Sequence, residues 1–184
     1  MKVKRVVVGF TGASGAIYGR RLLWHLRRLG HETHLIVTPM GRKVAAHEGE
    51  AEAFDLATQN WSPDDLMAGP ASGSWACDGM VVIPCSMGTL GRIAHGVSDN
   101  LLTRAADVRL KERQPLVLVP REMPYSLIHL ENMATITRAG GIILPASPSF
   151  YGSPGNIEDL VDTVVGRVLD HLGVDQEIGP RWGG

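Results

Sequence analysis

Two segments rich in glycine and hydroxyl groups, and a scatter of cations, are where this chain could do chemistry. Gly9-Phe10-Thr11-Gly12-Ala13-Ser14-Gly15 follows an apolar run and precedes a helical pattern. A strand-to-helix turn of that composition offers bare amides and the positive end of a helix to an anion, most often phosphate. Its GxxGxxG spacing has one more residue between the first two glycines than GxGxxG, and it lacks the lysine of a Walker A loop. Tight packing of strand against helix is the other use of such glycines. Pro84-Cys85-Ser86-Met87-Gly88-Thr89 repeats the arrangement after a second apolar run. Cys85 has no histidine near it in sequence and reads as a small buried apolar residue. Arg104 and Lys111 stand seven apart, on one face of a helix. Arg121-Glu122 follows another apolar run, and Arg167 interrupts a mostly apolar helical pattern. A solvated face is the ordinary fate of Arg and Lys. Gathered near glycine loops they suit a small phosphorylated substrate, with Arg favoured for bidentate contact. Glu122 is placed to give or take a proton, or to neutralise a cation.

These residues need a frame that delivers them to one edge. Short apolar runs rich in β-branched residues recur at 5–10, 34–37, 80–84, 116–119 and 141–144. Their hydrophobicity is continuous rather than alternating, which means burial on both faces, as in a parallel sheet covered by helices. Between them Ile17, Leu22, Leu23, Leu26 and Leu29 fall at helical spacing, with Gly30 as the stop. Residues 100–112 put Leu101, Leu102, Ala105 and Val108 on one face, and residues 126–138 form a helix ending before Gly140-Gly141. Residues 157–172 carry Leu160, Val161, Val164, Val168 and Leu172 on one stripe, with Asn156 as N-cap. The alternation predicts a single-domain α/β fold with a doubly wound parallel sheet over residues 1–172. Such sheets bind ligands beyond the C-terminal ends of their strands, where both glycine loops and Arg121-Glu122 fall. Residues 60–74, with Pro63, Gly69 and Pro70, read as a long surface connection. Residues 173–184 read as a tail whose Trp182 either packs locally or folds over a site or a neighbouring subunit.

The 184 residues carry 18 Lys+Arg against 19 Asp+Glu, a net charge of −1, which gives no global field for nucleic acid or an acidic membrane. With 44% hydrophobic and 20% charged residues the composition argues against disorder and coiled coil. Cys77 and Cys85 make neither a disulfide framework nor a zinc site, and the histidines include no HExxH, so no metal is expected. His47-Glu48 reads as a helix terminus and His129 as a satisfied core residue. A GxSxG elbow is absent, which disfavours an α/β-hydrolase mechanism. The first residues imitate a signal peptide, but the apolar run is too short, and a first strand running into a glycine loop accounts for them. No stretch approaches the roughly 20 apolar residues of a membrane span. The expected location is cytoplasmic.

Taken in order, the motifs resemble the UbiX-type flavin prenyltransferases over nearly the whole chain. The matching stretches are the 9–15 and 84–89 loops, Asp99-Asn100-Leu101-Leu102, Arg104-Ala105-Ala106-Asp107-Val108, Leu110-Lys111-Glu112-Arg113, Arg121-Glu122, His129-Leu130-Glu131-Asn132-Met133 and Phe150-Tyr151. The resemblance implies a flavodoxin- or Rossmann-like three-layer fold that binds FMN. It implies transfer of a dimethylallyl group from dimethylallyl phosphate to reduced FMN, at N5 and then C6, without a metal. The product, prenylated FMN, would serve a UbiD-type decarboxylase, and the enzyme would be a homododecamer. Gly12, Ala13 and Ser14, with Ser86, Met87, Gly88 and Thr89, would hold the flavin and its phosphate. Thr38 stands where the family usually has serine. Arg121 would touch both FMN and the prenyl phosphate, and Arg104, Lys111, Tyr151 and Arg167 would bind that phosphate. Glu48 and Glu122 match acidic residues tied to proton movement, so Glu48, Glu122, Lys111 and Arg121 form the implied catalytic set. Trp182 matches an aromatic that closes over the site.

The chain departs from the pattern in two places. Gly88 replaces the lysine of the SMKT form of its loop, although the SMGT form also occurs, and Met123 and Tyr125 flank Pro124 where RETPL is common. The nearest rival, a flavin-dependent cysteine decarboxylase, relies on an active-site histidine and a PASANT-type loop, whereas the loop here is PCSMGT. A non-catalytic flavin-binding subunit would not need a second set of phosphate-binding cations. A generic nucleotide-binding module leaves Arg121-Glu122 unexplained.

Overall fold

The computed structural model describes residues 3–179. Its strands are β1 (Arg5–Phe10), β2 (Glu32–Val37), β3 (Gln59–Trp61), β4 (Gly79–Cys85), β5 (Leu116–Pro120) and β6 (Ile142–Ile143). The α-helices are α1 (Ala16–Arg28), α2 (Pro39–His47), α3 (Met87–Ala94), α4 (Leu101–Lys111), α5 (Leu127–Arg138) and α6 (Ile157–His171). All strand pairs are parallel and the order is β3-β2-β1-β4-β5-β6, the order of the dinucleotide-binding α/β folds.

Alternate residues of each central strand feed two cores. Val6, Val8 and Phe10 of β1 pack with Leu22, Leu23 and Leu26 of α1 and with Val161, Val165 and Val168 of α6. Val7 of β1, Met80 and Val82 of β4 and Leu118 of β5 pack with Leu90 of α3 and Leu101, Leu102 and Ala105 of α4. Burial on both sides is why these strands read as unbroken apolar runs, and each buried Leu or Val contributes roughly 1.5–3 kcal/mol. The helices begin where short polar side chains can take an orphan amide. Asn156 does so for α6, as expected, through Asp159 N at 2.9 Å.

One local expectation changes, and two segments gain detail. The 60–74 connection is not wholly irregular: β3 forms at its start, and Gly69–Ala71 makes a turn of 3-10 helix. Gln-Asn-Trp has no apolar run because β3 is a short edge strand with two exposed residues. His129 is not a core residue. It is only partly buried, and it closes a capping box in which Ser126 Oγ accepts from the His129 amide and the Ser126 amide donates to the His129 ring. The tail begins in contact with α6: Val174 is buried, and the Gln176 amide group donates to the Gly166 carbonyl and to Asp170. Among the described residues no helix is long and apolar enough to cross a membrane, and no group of three His, Cys, Asp or Glu could hold a metal ion.

Candidate active site

Strand order reverses between β1 and β4, and the loops leaving β1, β2, β4 and β5 all emerge at the C-terminal edge beside that reversal. Thr11 ties the first of these loops to the third. Its amide and hydroxyl both donate to the Pro84 carbonyl, at 3.3 and 2.8 Å, and the Ser86 amide donates to the Thr11 oxygen at 2.7 Å. A buried hydroxyl bonded in both directions fixes the two loops as one unit. Nothing in the sequence pattern singles out this threonine.

A cavity of about 410 Å³ lies next to that tie. Gly12, then Thr38, Pro39 and Met40 at the start of α2, form one side. Ser86, capping the start of α3, with Thr89 and Arg92 of that helix, and Asn100, capping the start of α4, with Leu102 and Thr103, form the other, and Pro63 and Asp64 from the long connection close it. Three helices start here. The Thr38 hydroxyl accepts from Gly41 N at 3.1 Å, that of Ser86 from Thr89 N at 3.3 Å, and Asn100 Oδ1 from Thr103 N at 3.1 Å. Helix N-termini leave amides without intrahelical acceptors and carry roughly half a positive charge. Three of them meeting at one cavity make a seat for phosphate. Gly12 is required there, because a Cβ would lie 2.6 Å from Met40 Cγ.

The start of α1 is organised differently. Glu48, the residue capping the end of α2, accepts from Gly15 N at 3.0 Å and Ala16 N at 2.8 Å. Burial pushes its carboxyl up, but the Ser14 hydroxyl, those two amides and the nearby Arg121 charge outweigh that and hold it below the ordinary carboxylate range. Gly15 has φ of 103°, a conformation that side chains rarely adopt. Arg121 Nε donates to the Ser14 carbonyl at 3.1 Å, so the loop after β5 crosses over the head of α1. The α1 amides that the glycine loop was expected to present to phosphate are therefore taken by the protein's own carboxylate.

The remaining expected residues divide by location. Ala13 and Met87 are buried in the interior, and neither lines the cavity. The Gly88 carbonyl accepts from Arg92 Nη1 at 3.4 Å. Glu122 is exposed beside Arg121 and accepts from the Met123 amide at 3.0 Å. Cys85 is buried, its thiol pushed up to about 12 by burial, and belongs to the core as read from sequence. Arg104 and Lys111 do share a face of α4, but the segment around residues 69–73 lies against it. Arg104 Nε donates to the Ala71 carbonyl at 3.2 Å and its Nη1 pairs with Asp107 at 2.8 Å, while Lys111 pairs with Glu112. Lys111 lies about 13 Å along the helix from Leu102, toward the opposite edge of the sheet. Arg167 is on α6, in the other helical layer, paired with Asp170 at 2.7 Å. Tyr151 is exposed between β6 and α6. None of these four lines the cavity. Trp182 lies outside the described residues. Reasoning from sequence missed Met40, Asp64, Arg92, Asn100 and Thr103. Only the Asn100-x-x-Thr103 capping pair left a signal that could have been read. No histidine is among the described residues that line the cavity.

A doubly wound sheet whose switch-point cavity gathers three helix N-termini defines a protein that binds a phosphorylated nucleotide or a relative of one. Residues 1–169 match the family described as Flavoprotein. The chain is 50% identical over 186 residues to a probable UbiX-like flavin prenyltransferase from Bacillus subtilis (strain 168), spanning 100% of this chain and 91% of that one. The crystal structure of AnUbiX (PadA1) in complex with FMN and dimethylallyl pyrophosphate is similar at a TM-score of 0.94 and 46% identity, covering 100% of this chain and 99% of the other. That of a dodecameric FMN-dependent Ubix-like decarboxylase from Escherichia coli O157:H7 gives a TM-score of 0.92 and 45% identity, covering 98% and 100%. The chain belongs to the flavoprotein family, among the UbiX-type flavin prenyltransferases.

Proposed function

We propose that this chain transfers a dimethylallyl group from dimethylallyl phosphate to N5 and then C6 of reduced FMN, releasing prenylated FMN. The observation that carries the reading is that three of the family's ordered motifs, the 9–15 and 84–89 loops and the start of α4, border one cavity at the β1/β4 reversal. The residues present fit FMN. Three helix N-termini and a cation suit its phosphate, and Pro39, Met40, Pro63 and Leu102 give apolar walls for a flat ring. Reduced flavin supplies the nucleophile. Departure of an allylic phosphate separates an allyl cation from an anion, and Arg121, Arg104, Lys111 and Arg167 would stabilise that anion by charge-assisted hydrogen bonds. Glu122 and Glu48 would carry the protons that must leave the ring, with Ser14 between Glu48 and the flavin.

Arg104, Lys111, Tyr151 and Arg167 stand away from the cavity of their own chain, so we assign them to the cavity of a neighbouring subunit in a homo-oligomer, a dodecamer as in the Escherichia coli relative. Supporting this, α5 presents Leu127, Ile128 and Leu130 to solvent beside exposed Met123, more apolar surface than one helix of a monomer ordinarily leaves uncovered. Residues 1–172 would form the flavin-binding unit. The tail, held by Val174 and Gln176 on the helix that carries Arg167, would bring Trp182 over the site. The product would pass to a UbiD-type decarboxylase.

The test is anaerobic: protein, reduced FMN and dimethylallyl phosphate are mixed and the flavin is weighed by mass spectrometry. A five-carbon addition is expected with the wild type, and Glu122→Gln should slow its appearance by 10²-fold or more, the order of a lost acid–base group. Flavin of unchanged mass with the wild type, with either the monophosphate or the diphosphate donor, overturns the reading.

A further inference from the structure

Arg92 is the one cation among the described residues lining the cavity, and neither motif nor resemblance assigned it a role. It lies one helical turn beyond Gly88, so its guanidinium runs back along the first turn of α3 toward the cap at Ser86. Two weak contacts hold it there, Nη1 to the Gly88 carbonyl at 3.4 Å and Nε to Asp99 at 3.2 Å. Both members of the Arg92–Asp99 pair are about half exposed, and an ion pair so placed contributes little and yields readily to a better anion. Residue 88 lies directly beside the guanidinium: a Cβ there would stand 3.7 Å from Nη1, an ordinary contact. The Ser86 and Thr89 hydroxyls border the cavity beside it, and the Ser86 hydroxyl donates to that of Thr89 at 3.1 Å.

A fork of guanidinium donors next to a helix N-terminus and two hydroxyls matches a tetrahedral dianion far better than it matches the neutral edge of a flavin ring. We propose that Arg92 binds the phosphate of FMN and makes the site select the phosphorylated flavin over riboflavin. The proposal rests on the reading above that FMN occupies this cavity. With FMN bound, Nη1 leaves the Gly88 carbonyl for a phosphate oxygen, while Asp99 keeps its separate task of accepting from Thr103 and Asn100 at the start of α4.

The test measures the dissociation constants of oxidised FMN and of riboflavin on the full chain, as wild type, Arg92→Gln, Arg92→Lys and Asp99→Asn. Arg92→Gln should weaken FMN by about tenfold or more and leave riboflavin within about twofold, since riboflavin has no phosphate to lose a charged hydrogen bond. Arg92→Lys should restore most of the FMN affinity, and the salt dependence of FMN binding should flatten in Arg92→Gln. Asp99→Asn should keep the preference for FMN. An unchanged FMN-to-riboflavin ratio in Arg92→Gln overturns the proposal. So does an Asp99→Asn variant that loses the preference equally, because the ion pair rather than the phosphate contact would then be responsible. Failure of the wild type to bind either flavin would instead overturn the functional reading on which the proposal stands.

Discussion

Glu48 occupies a place that a bound anion holds in many folds of this class, and its consequences are local and measurable. Replacing it with alanine leaves Gly15 N and Ala16 N without their acceptor at a partly buried helix start. The expected cost is about 1–2 kcal/mol, the range for a lost N-cap together with its charge at the positive end of the helix. The pH dependence follows from the lowered carboxyl. A group whose folded pKa lies below its unfolded one contributes stability above the unfolded value and loses it as pH falls through the folded value. The gap in unfolding free energy between wild type and Glu48→Ala, measured by urea titration, should be full at pH 6 to 7, above the reference carboxylate value of about 4.3, and shrink as the pH is taken below it. A gap independent of pH would show that geometry alone, and not charge, caps α1. Sequence spacing placed Glu48 at the end of a helix, and so it is. That the side chain then turns onto the head of α1 depends on β1 and β2 being neighbours, which no local pattern encodes.

At the scale of elements, the longest lever is the contact of α1 with α6. Arg21 Nε bonds Asp162 Oδ1 at 2.9 Å and His25 Nε2 lies 3.0 Å from Asp162 Oδ2, all largely shielded from water. Burial acts to raise the Asp162 carboxyl, but the hydrogen bonds from Arg21 and His25 win and hold it low. Asp162→Ala takes the carboxylate from the buried His25 imidazole and leaves the Arg21 guanidinium with Glu158 Oε2, at 2.9 Å, as its remaining carboxylate. It should destabilise by about 3 kcal/mol, or roughly 6–12 °C in Tm for a chain of this size, checked by calorimetry. A change under about 0.5 kcal/mol, the scale of an ordinary surface substitution, would refute the assignment. The two helices themselves were legible, because Leu22 and Leu26, or Val161, Val164 and Val168, repeat at helical spacing. The clamp between them was not. Arg21 and Asp162 lie in distant segments, and only a topology that returns the chain's last helix to the layer of its first brings them together. β3 was illegible for the opposite reason: an edge strand of three residues needs no apolar run.

For the whole molecule, the site divides along the same line. Gly12, Thr38, Ser86 and Thr89 could be read in advance because each follows a buried strand, and a parallel sheet sends all such residues to one edge. Pro63 and Asp64 could not, because the connection that carries them is positioned by contacts rather than composition, Leu101 N donating to the Pro63 carbonyl at 2.7 Å. Lys111, near the opposite edge of the sheet, takes this further. If each cavity is finished by a lysine from another copy, the genetic unit of function is not the chain. Two damaged proteins, Lys111→Met and Glu122→Gln, should each be nearly inactive alone. Denatured together and refolded as a mixture, they should regain a fraction of wild-type turnover, since some cavities would then draw their glutamate from one parent and their lysine from the other. Mixtures no more active than their components would return Lys111 to its own chain. Recovery would mean that inheritance of this activity can be dominant, recessive or complementing according to which residue is lost.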